Sequence, residues 1–522
     1  MADVRLVILG GGGFRVPLVY RAVTGRPELG IDRVVLHDVD GARLAAMHAV
    51  LSGAGGHGRQ PTVGPSVTVT TDLDDALRGA DVVFSAIRVG GAPGRAADER
   101  RALALGVLGQ ETVGAGGLAY GLRTVPVALQ IARLVADLAP NAWTINFTNP
   151  AGMITEAMRT VLGERVIGIC DSPLGLIRRT CRALGVSPDE AHCDYAGINH
   201  LGWLRSVRRA GLGARSSGEA GGATDRHGGD DGACPDLLPG LLADDAALAS
   251  FEEGRLFGGD LLRVLGSLPN EYLAFYYGHR DLAASLASGT TRGELLAAEQ
   301  HTFYTAAAAD PARAAALWER ARLRREQTYL AETRDATEHR DEQDLTGGGY
   351  QEVALDLMAA LTGGASAQLI VNVANGSALP QLPSDMVVEL ACTVDSHGAR
   401  PLPTPPLDLH QLGLVSAVRA AERAVIDAVL LGSREQALRA FTIHPLVGSP
   451  RIAQQLLDGV VADHPALAEL LRPVPEGESH AAPGSCVRLT NRQLGRRAPA
   501  AGPVARTAPG PVAAPRSGPG SG

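Results

Sequence analysis

The chain has 522 residues, about three times the usual size of one domain, so two or more domains are expected. Its hydrophobic share of 45% and its charged share of 20% are ordinary for a globular protein with a sizeable core. The net charge is −8 and no basic block occurs, which argues against nucleic acid as the main partner.

The first third of the chain alternates short apolar runs with amphipathic stretches. Strands are predicted over residues 4–9, 33–37, 67–71, 81–86, 143–147 and 166–170. Helices are predicted over residues 16–23, 42–51 and 74–79. Strands that alternate with helices are typical of a parallel, doubly wound sheet.

From about residue 175 the pattern is mostly helical, with alanine- and arginine-rich helices predicted over 305–330 and 412–442. The predicted fold class is therefore α/β, a Rossmann-like doubly wound parallel sheet followed by a mostly helical α+β domain. The predicted divisions are a first domain (1–170), a second domain (171–473) with a loop insertion (211–233), and a disordered tail (474–522).

The six cysteines are scattered and form no Cys-x-x-Cys pair, which argues against a zinc ribbon or a disulfide framework. No apolar stretch of about 18 residues occurs, and the chain enters a strand at once. We therefore expect a cytoplasmic protein that does not bind membranes. The chain contains no lysine, so a Schiff-base lysine and a Walker-type phosphate loop are excluded.

The first strand ends at a glycine cluster that precedes a helix, and the second strand ends at Asp38. This order is typical of a dinucleotide-binding unit, in which glycines admit the pyrophosphate and an acidic residue accepts bonds from the adenosine ribose. Arg15 takes the place of the third glycine, and a turn without a ligand is the alternative. A carboxylate at Asp38 favours NAD over NADP. The predicted cofactor residues are Gly10, Gly11, Gly12, Gly13, Phe14 and Asp38.

Two glycine-rich loops between residues 89 and 124 carry Arg95, Gln110 and Glu111, and they suggest a cradle for a polar ligand. Six motifs then resemble glycoside hydrolase family 4, the NAD- and metal-dependent phosphoglycosidases, over roughly residues 4–450. The motifs, in chain order, are the glycine turn, Gly-Gln-Glu-Thr, Thr-Asn-Pro, Ile-Cys-Asp, Asn-His-Leu and Asn-Glu-Tyr-Leu. The turn and the last motif look most like those of 6-phospho-β-glucosidases.

The resemblance implies cleavage by a redox route, without the usual pair of carboxylates. NAD+ takes a hydride from C3 of the sugar, a base removes the acidified C2 proton, and the aglycone leaves from C1. Water then adds, and NADH returns the hydride. The resemblance also implies Cys170 and His200 as ligands of Mn2+ or another divalent metal, Asp171 as general acid and Tyr272 as base. It makes the first domain (1–170) the NAD-binding domain and the second (171–473) the substrate, metal and oligomerisation domain.

The remaining residues implied by the resemblance are Arg95, Asn149 and Arg292, which match contacts to the phosphate or to the substrate. Each position also has a plain structural reading. Cys170 is compatible with a small core residue, and His200 with a hydrogen-bonded structural histidine. Asp171 and Arg292 are also compatible with helix starts, and Tyr272 with an aromatic core stripe. Only the joint order of the motifs favours the functional reading.

Four functions therefore compete. The first is a 6-phospho-β-glucosidase, and the second is a relative with α-glucosidase, α-galactosidase or other specificity. The third is a net NAD-dependent dehydrogenase of the malate or lactate class, which needs a His–Asp pair. The fourth is a non-catalytic NAD-binding protein. The expected partners are a phosphorylated disaccharide or glucoside and further copies of the chain in a dimer or tetramer.

Overall fold

The computed structural model describes residues 4–53, 64–209, 234–329, 349–364 and 366–472. The loop insertion predicted at 211–233 and the tail predicted at 474–522 lie outside these residues. Within the described ranges, no helix combines the length and the apolar character that crossing a membrane requires.

Twelve strands of the described residues pair into one sheet. They are β1 (Val4–Leu9), β2 (Ile31–His37), β3 (Ser66–Thr70), β4 (Val82–Ser85), β5 (Trp143–Asn146), β6 (Val166–Gly168), β7 (Ala191–Ile198), β8 (Leu201–Arg209), β9 (Leu268–Pro269), β10 (Ala367–Ala374), β11 (Val387–Asp395) and β12 (Gly398–Pro401). The spatial order is β3-β2-β1-β4-β5-β6-β10-β11-β7-β8-β9, with β12 paired to β11.

The first six strands are parallel and take the doubly wound order in which dinucleotide-binding sheets are built. The remaining strands extend the same sheet in antiparallel fashion, beginning where Asn372 of β10 pairs with Gly168 of β6. The predicted fold class is confirmed.

The helices flank this sheet. They are α1 (Val16–Thr24), α2 (Gly41–Gly53), α3 (Leu73–Leu77), α4 (Gly91–Ala104), α5 (Gly114–Leu138), α6 (Ala151–Leu162), α7 (Ser172–Ala183), α8 (Leu238–Leu242), α9 (Asp245–Ala249), α10 (Glu252–Leu265), α11 (Ala274–Tyr277), α12 (His279–Leu286), α13 (Arg292–Ala309), α14 (Ala314–Gln327), α15 (Tyr350–Gly363), α16 (Leu409–Leu431), α17 (Arg434–Ile443), α18 (Pro450–Asp463) and α19 (Pro465–Leu470). The nine elements predicted in the first third of the chain are confirmed, each boundary within two residues.

The parallel sheet is buried on both faces, as the alternation along β1 shows. Leu6 and Ile8 pack in one apolar cluster with residues of α1 and α15, whereas Val7 and Leu9 pack in another with residues of α5 and α16. A parallel sheet needs this double cover because its crossover helices lie on both sides. Helices therefore cover both faces of the parallel sheet, which leaves the ends of its strands for a ligand.

The structure corrects two predictions for the second half of the chain. Each long helix is broken, the first by a turn at Asp310–Arg313 that includes Pro311, and the second at Gly432, whose φ of 63° is left-handed. The half predicted as mostly helical also contributes six strands, β7 to β12. The sheet runs without a break across residue 170, and the predicted domain boundary there stays a prediction.

Arg419 of α16 is a buried charge that ties this helix to the sheet. Its Nη2 donates to the carbonyl of Val387 at 2.6 Å, and its Nη1 lies 2.6 Å from a carboxylate oxygen of Glu422. We expect Arg419→Ala to lower the free energy of unfolding by about 3–5 kcal/mol, because it leaves a buried carboxylate without its cation. The control Arg400→Ala, at a pair whose arginine is 57% exposed, should cost less than about 1 kcal/mol. Equal effects in denaturant titrations would contradict this account.

Candidate active site

A cleft opens at the carboxyl ends of the parallel strands. Gly10, Ala86, Phe147 and Ile169, which follow β1, β4, β5 and β6, line it directly. The cleft encloses about 1350 Å³, including its solvent-open mouth. Open α/β sheets bind their ligands at this edge, where the strand order reverses.

Most of the predicted site residues line this one cleft. They are Gly10, Gly13, Phe14, Arg95, Asn149, Cys170, Asp171, His200, Tyr272 and Arg292. Gly11, Gly12 and Asp38 do not line it and lie beside the turn that does. The structure thus brings the predicted substrate, metal and catalytic positions together, and the role of each stays a prediction.

The glycine turn approaches the neighbouring strands too closely for side chains. Gly10 has a φ of 81°, and a Cβ there would lie 2.5 Å from the carbonyl oxygen of Ala86. A Cβ on Gly12 would lie 2.9 Å from an oxygen of Asp38, which already accepts the Gly12 N–H at 3.0 Å. The open backbone and the adjacent carboxylate fit a pyrophosphate and a ribose.

Aromatic residues of α13 and α14 hold this turn in place. Trp318 donates its indole N–H to the carbonyl of Phe14 at 2.8 Å, and Tyr304 donates its hydroxyl to the carbonyl of Gly12 at 2.6 Å. The ring of Phe14 packs edge-on against Phe303, with 5.6 Å between centroids. The second half of the chain therefore braces a turn that belongs to the first.

Cys170 and His200 offer a thiol and an imidazole to the same cleft. Cys170 follows β6, and His200 occupies the tight turn between β7 and β8 with a φ of 62°. Burial lowers the pKa of His200 to about 3, so its imidazole is neutral and able to ligate a metal. Burial, with Glu389 and Asp171 nearby, raises the pKa of the Cys170 thiol.

The pair fits a divalent transition metal, because thiolate and neutral imidazole are both ligands for such ions. In the described part of the chain, no group of three or more His, Cys, Asp or Glu side chains is arranged to hold a metal. A metal held by Cys170 and His200 would therefore need further ligands from substrate or water, and the two-residue site stays a prediction.

Tyr272 stacks flat on His200, with 3.7 Å between ring centroids and 8° between planes. Its hydroxyl accepts a hydrogen bond from that of Tyr329 at 3.1 Å. Burial raises the pKa of Tyr272, and the carboxylate of Glu271 raises it further. A base at this position therefore needs a nearby positive charge to lose its proton.

Arginines dominate the charge of the cleft. Arg95 pairs with Glu99 and Glu111, each at 2.6 Å, and Glu111 also pairs with Arg88. Arg292 is the first residue of α13, so its reading as a helix start is confirmed, while its side chain lines the cleft.

Arg325 of α14 lies close to other arginines that line the cleft. Its pKa is lowered to about 9 by burial and then by Arg15, Arg292 and Arg88. A guanidinium so destabilised is stabilised by a bound anion. The prediction from sequence missed Arg325, because it lies in a helix that also carries exposed arginines.

Sequence reasoning also missed other residues that line the cleft. They include Arg15, Arg43, Arg88, Tyr329 and Tyr350. Arg15 had a signal, since it replaces the third glycine of the turn. Its guanidinium lies over the Tyr350 ring at 4.8 Å and 3.7 Å from an oxygen of Asp171, so Asp171 is both the residue before α7 and part of the cleft.

Comparison with known proteins assigns the chain to a family. The family 4 glycosyl hydrolase model matches residues 5–186, and the model of that family's C-terminal domain matches residues 195–447. The chain belongs to the family 4 glycosyl hydrolases. The family resemblance that the six motifs indicate is therefore confirmed.

Similar proteins carry both anomeric specificities in their names. A probable 6-phospho-beta-glucosidase of Bacillus subtilis (strain 168) is 30% identical over 88% of this chain and 96% of its own length. A 6-phospho-alpha-glucosidase of Lacticaseibacillus paracasei is 26% identical over 87% and 96%. The Thermotoga maritima 6-phospho-beta glucosidase, solved with manganese, NAD+ and glucose-6-phosphate, shares the fold with a TM-score of 0.71 at 24% identity, over 89% of this chain and 99% of that one.

The placement of Cys170 in this family 4 enzyme leads to a prediction about metal binding. We expect Cys170→Ser to weaken Mn2+ binding by at least about tenfold, because a hydroxyl is a poorer ligand than a thiolate and even indirect metal contacts carry that much. NAD+ affinity should hold. Cys392→Ser is the matched control, since Cys392 is buried in β11 and does not line the cleft. Mn2+ titrations in which both variants behave alike would contradict the assignment.

Proposed function

We propose that this family 4 enzyme is an NAD- and metal-dependent 6-phospho-β-glucosidase. The observation that carries the proposal is the excess of positive charge in the cleft. Among the described residues, six arginines and two carboxylates line it. Arginine forks suit a phosphate, and the higher identity to a relative named for β-glucosides favours that anomer.

The cofactor would bind along the glycine turn, with the pyrophosphate at Gly10–Gly13 and the adenosine ribose towards Asp38. When bound, the nicotinamide supplies a reversible hydride acceptor for C3 of the sugar. The turn excludes side chains where the backbone approaches Ala86, so a pyrophosphate would meet main chain there without obstruction by a Cβ.

Cys170 and His200 would hold the divalent metal, proposed to be Mn2+. When bound, the metal supplies Lewis acidity towards the oxygens of C2 and C3. The neutral imidazole of His200 donates its lone pair without first losing a proton. The thiol of Cys170 must lose its proton on binding, because burial favours its neutral form.

Tyr272 would remove the C2 proton, and Asp171 would give a proton to the leaving oxygen. The two face the same cleft, with Tyr272 held flat against His200. Arg95, Asn149 and Arg292 would contact the substrate. Arg325, which also lines the cleft, would bind the phosphate together with Arg292. The phosphate would offset the repulsion between the two guanidinium groups.

The third candidate, a net dehydrogenase, needs a histidine paired with an aspartate. His200 instead bonds through Nδ1 to the hydroxyl of Thr112 at 2.8 Å. A threonine partner favours a role for His200 as a metal ligand over a role in a His–Asp pair that transfers protons. Specificity for an α-glucoside or α-galactoside remains the second candidate and is separated from the first by substrate tests.

The substrate experiment follows turnover of 4-nitrophenyl 6-phospho-β-glucoside with and without NAD+ and Mn2+. We expect turnover only with both, and little turnover of the α-anomer or the unphosphorylated glucoside. Arg325→Met should raise KM by about 10–100-fold, the loss of one hydrogen bond to a charged group. Arg324→Met is the control, since Arg324 is 72% exposed on the same helix. Preference for the α-anomer would overturn the β assignment, and indifference to phosphate would overturn the role of the arginines.

A second experiment tests the chemical route. Product formed in heavy water should carry deuterium at C2, because the C2 proton leaves and returns from solvent. Tyr272→Phe should lower turnover by about 10²–10⁴-fold with NAD+ affinity unchanged. Tyr277→Phe is the control, because its hydroxyl bonds to Trp203 and His410 outside the cleft. Active enzyme whose product lacks C2 deuterium would exclude the elimination route.

A further inference from the structure

The loop that precedes α5 supplies a partner for His200. Thr112 Oγ1 lies 2.8 Å from His200 Nδ1 and 3.2 Å from the side-chain oxygen of Gln110. The same oxygen of Gln110 accepts the backbone N–H of Thr112 at 2.7 Å. The side chains of Gln110, Thr112 and His200 therefore form a continuous series of hydrogen bonds.

One direction of these hydrogen bonds satisfies every group in them. A backbone N–H can only donate, so the atom of Gln110 that it meets is the amide oxygen, an acceptor. A Thr112 hydroxyl whose single hydrogen points to this oxygen turns a lone pair towards His200. In this direction Nδ1 of His200 supplies the hydrogen of the bond to Thr112, whereas a hydroxyl that donates to Nδ1 leaves the Thr112–Gln110 contact without a hydrogen.

The surroundings hold this arrangement rigid. A Cβ on Gly116 would lie 2.0 Å from the carbonyl oxygen of Gln110, and one on Gly117 would lie 2.6 Å from that of Thr112. The loop thus sits directly on the first turn of α5. On the other side, the ring plane of His200 is fixed by its stacking on Tyr272.

We propose that Thr112 and Gln110 are positioning residues that fix His200 in the Nδ1–H tautomer and leave the Nε2 lone pair for the metal. The tautomer is inferred from the pattern of hydrogen bonds, whereas its consequence for the metal rests on the proposed function. A ligand histidine whose second nitrogen donates to a fixed acceptor is oriented and made more basic, and losing that acceptor weakens metal binding about 10–100-fold.

The experiment reads the tautomer in the metal-free protein by NMR of [15N]histidine, with His200→Asn used to assign the signals. Wild type should show a protonated Nδ1 and an unprotonated Nε2. Thr112→Val, which removes the hydroxyl at nearly constant shape, should populate the other tautomer, and Thr112→Ser should restore the wild-type signals. Gln110→Leu should favour Nε2–H, because the freed hydroxyl hydrogen can turn to Nδ1.

Free Mn2+, followed by electron paramagnetic resonance, gives the second measurement. Thr112→Val should weaken Mn2+ binding by about 10–100-fold, and Thr112→Ser should bind like wild type. A wild-type Nε2–H tautomer, or equal Mn2+ affinity in Thr112→Val, would overturn the proposal. Wild type that shows Nδ1–H but binds no Mn2+ would instead contradict the metal site of the proposed function and leave the tautomer assignment supported.

Discussion

Like charges gathered in a buried cleft are the constraint around which this active site is arranged. The chain as a whole is acidic, with a net charge of −8, yet arginines from several separate elements meet at one edge of the sheet. Glu111 offsets part of this charge, and the pKa of that carboxyl is lowered to about 2 although burial opposes the shift. The lowered pKa of Arg325 shows that the compensation is incomplete. Such a cleft is better suited to an anionic sugar than to a neutral one.

The two halves of the chain meet at this cleft because they share one sheet. The parallel strands present the glycine turn and Cys170 at their carboxyl ends, whereas the antiparallel extension presents His200 from the turn between β7 and β8. Tyr272 follows β9, which pairs with β8 next to it. The positions proposed for the metal ligands and the base therefore depend on strand pairing between distant segments.

These dependencies explain which features the sequence could predict. The parallel strands and the glycine turn have local signals, since short apolar runs end at glycines. The family motifs located Cys170, His200 and Tyr272. Arg325 had no comparable signal, because a helical arginine reaches the cleft only through the packing of distant elements. Thr112 closes the Gly-Gln-Glu-Thr motif, but no local pattern indicates its contact with His200. Likewise Asn372 of β10 pairs with Gly168 of β6, which are 372 − 168 = 204 positions apart, and no local pattern specifies that register.

The groups that line the cleft favour different ligands, which bears on how a substrate would bind. Burial lowers the pKa of Arg325, and the nearby charges of Arg15 and Arg292 lower it further, so an anion beside this guanidinium is stabilising. Burial raises the pKa of Cys170 and of Tyr272, and nearby carboxylates raise both further, so a cation is favoured beside these two groups. Asp171 is one of these carboxylates and also lies 3.7 Å from Arg15, so it belongs to both surroundings. A sugar phosphate bound as proposed would therefore place its phosphate by the arginines and its ring by Cys170 and Tyr272.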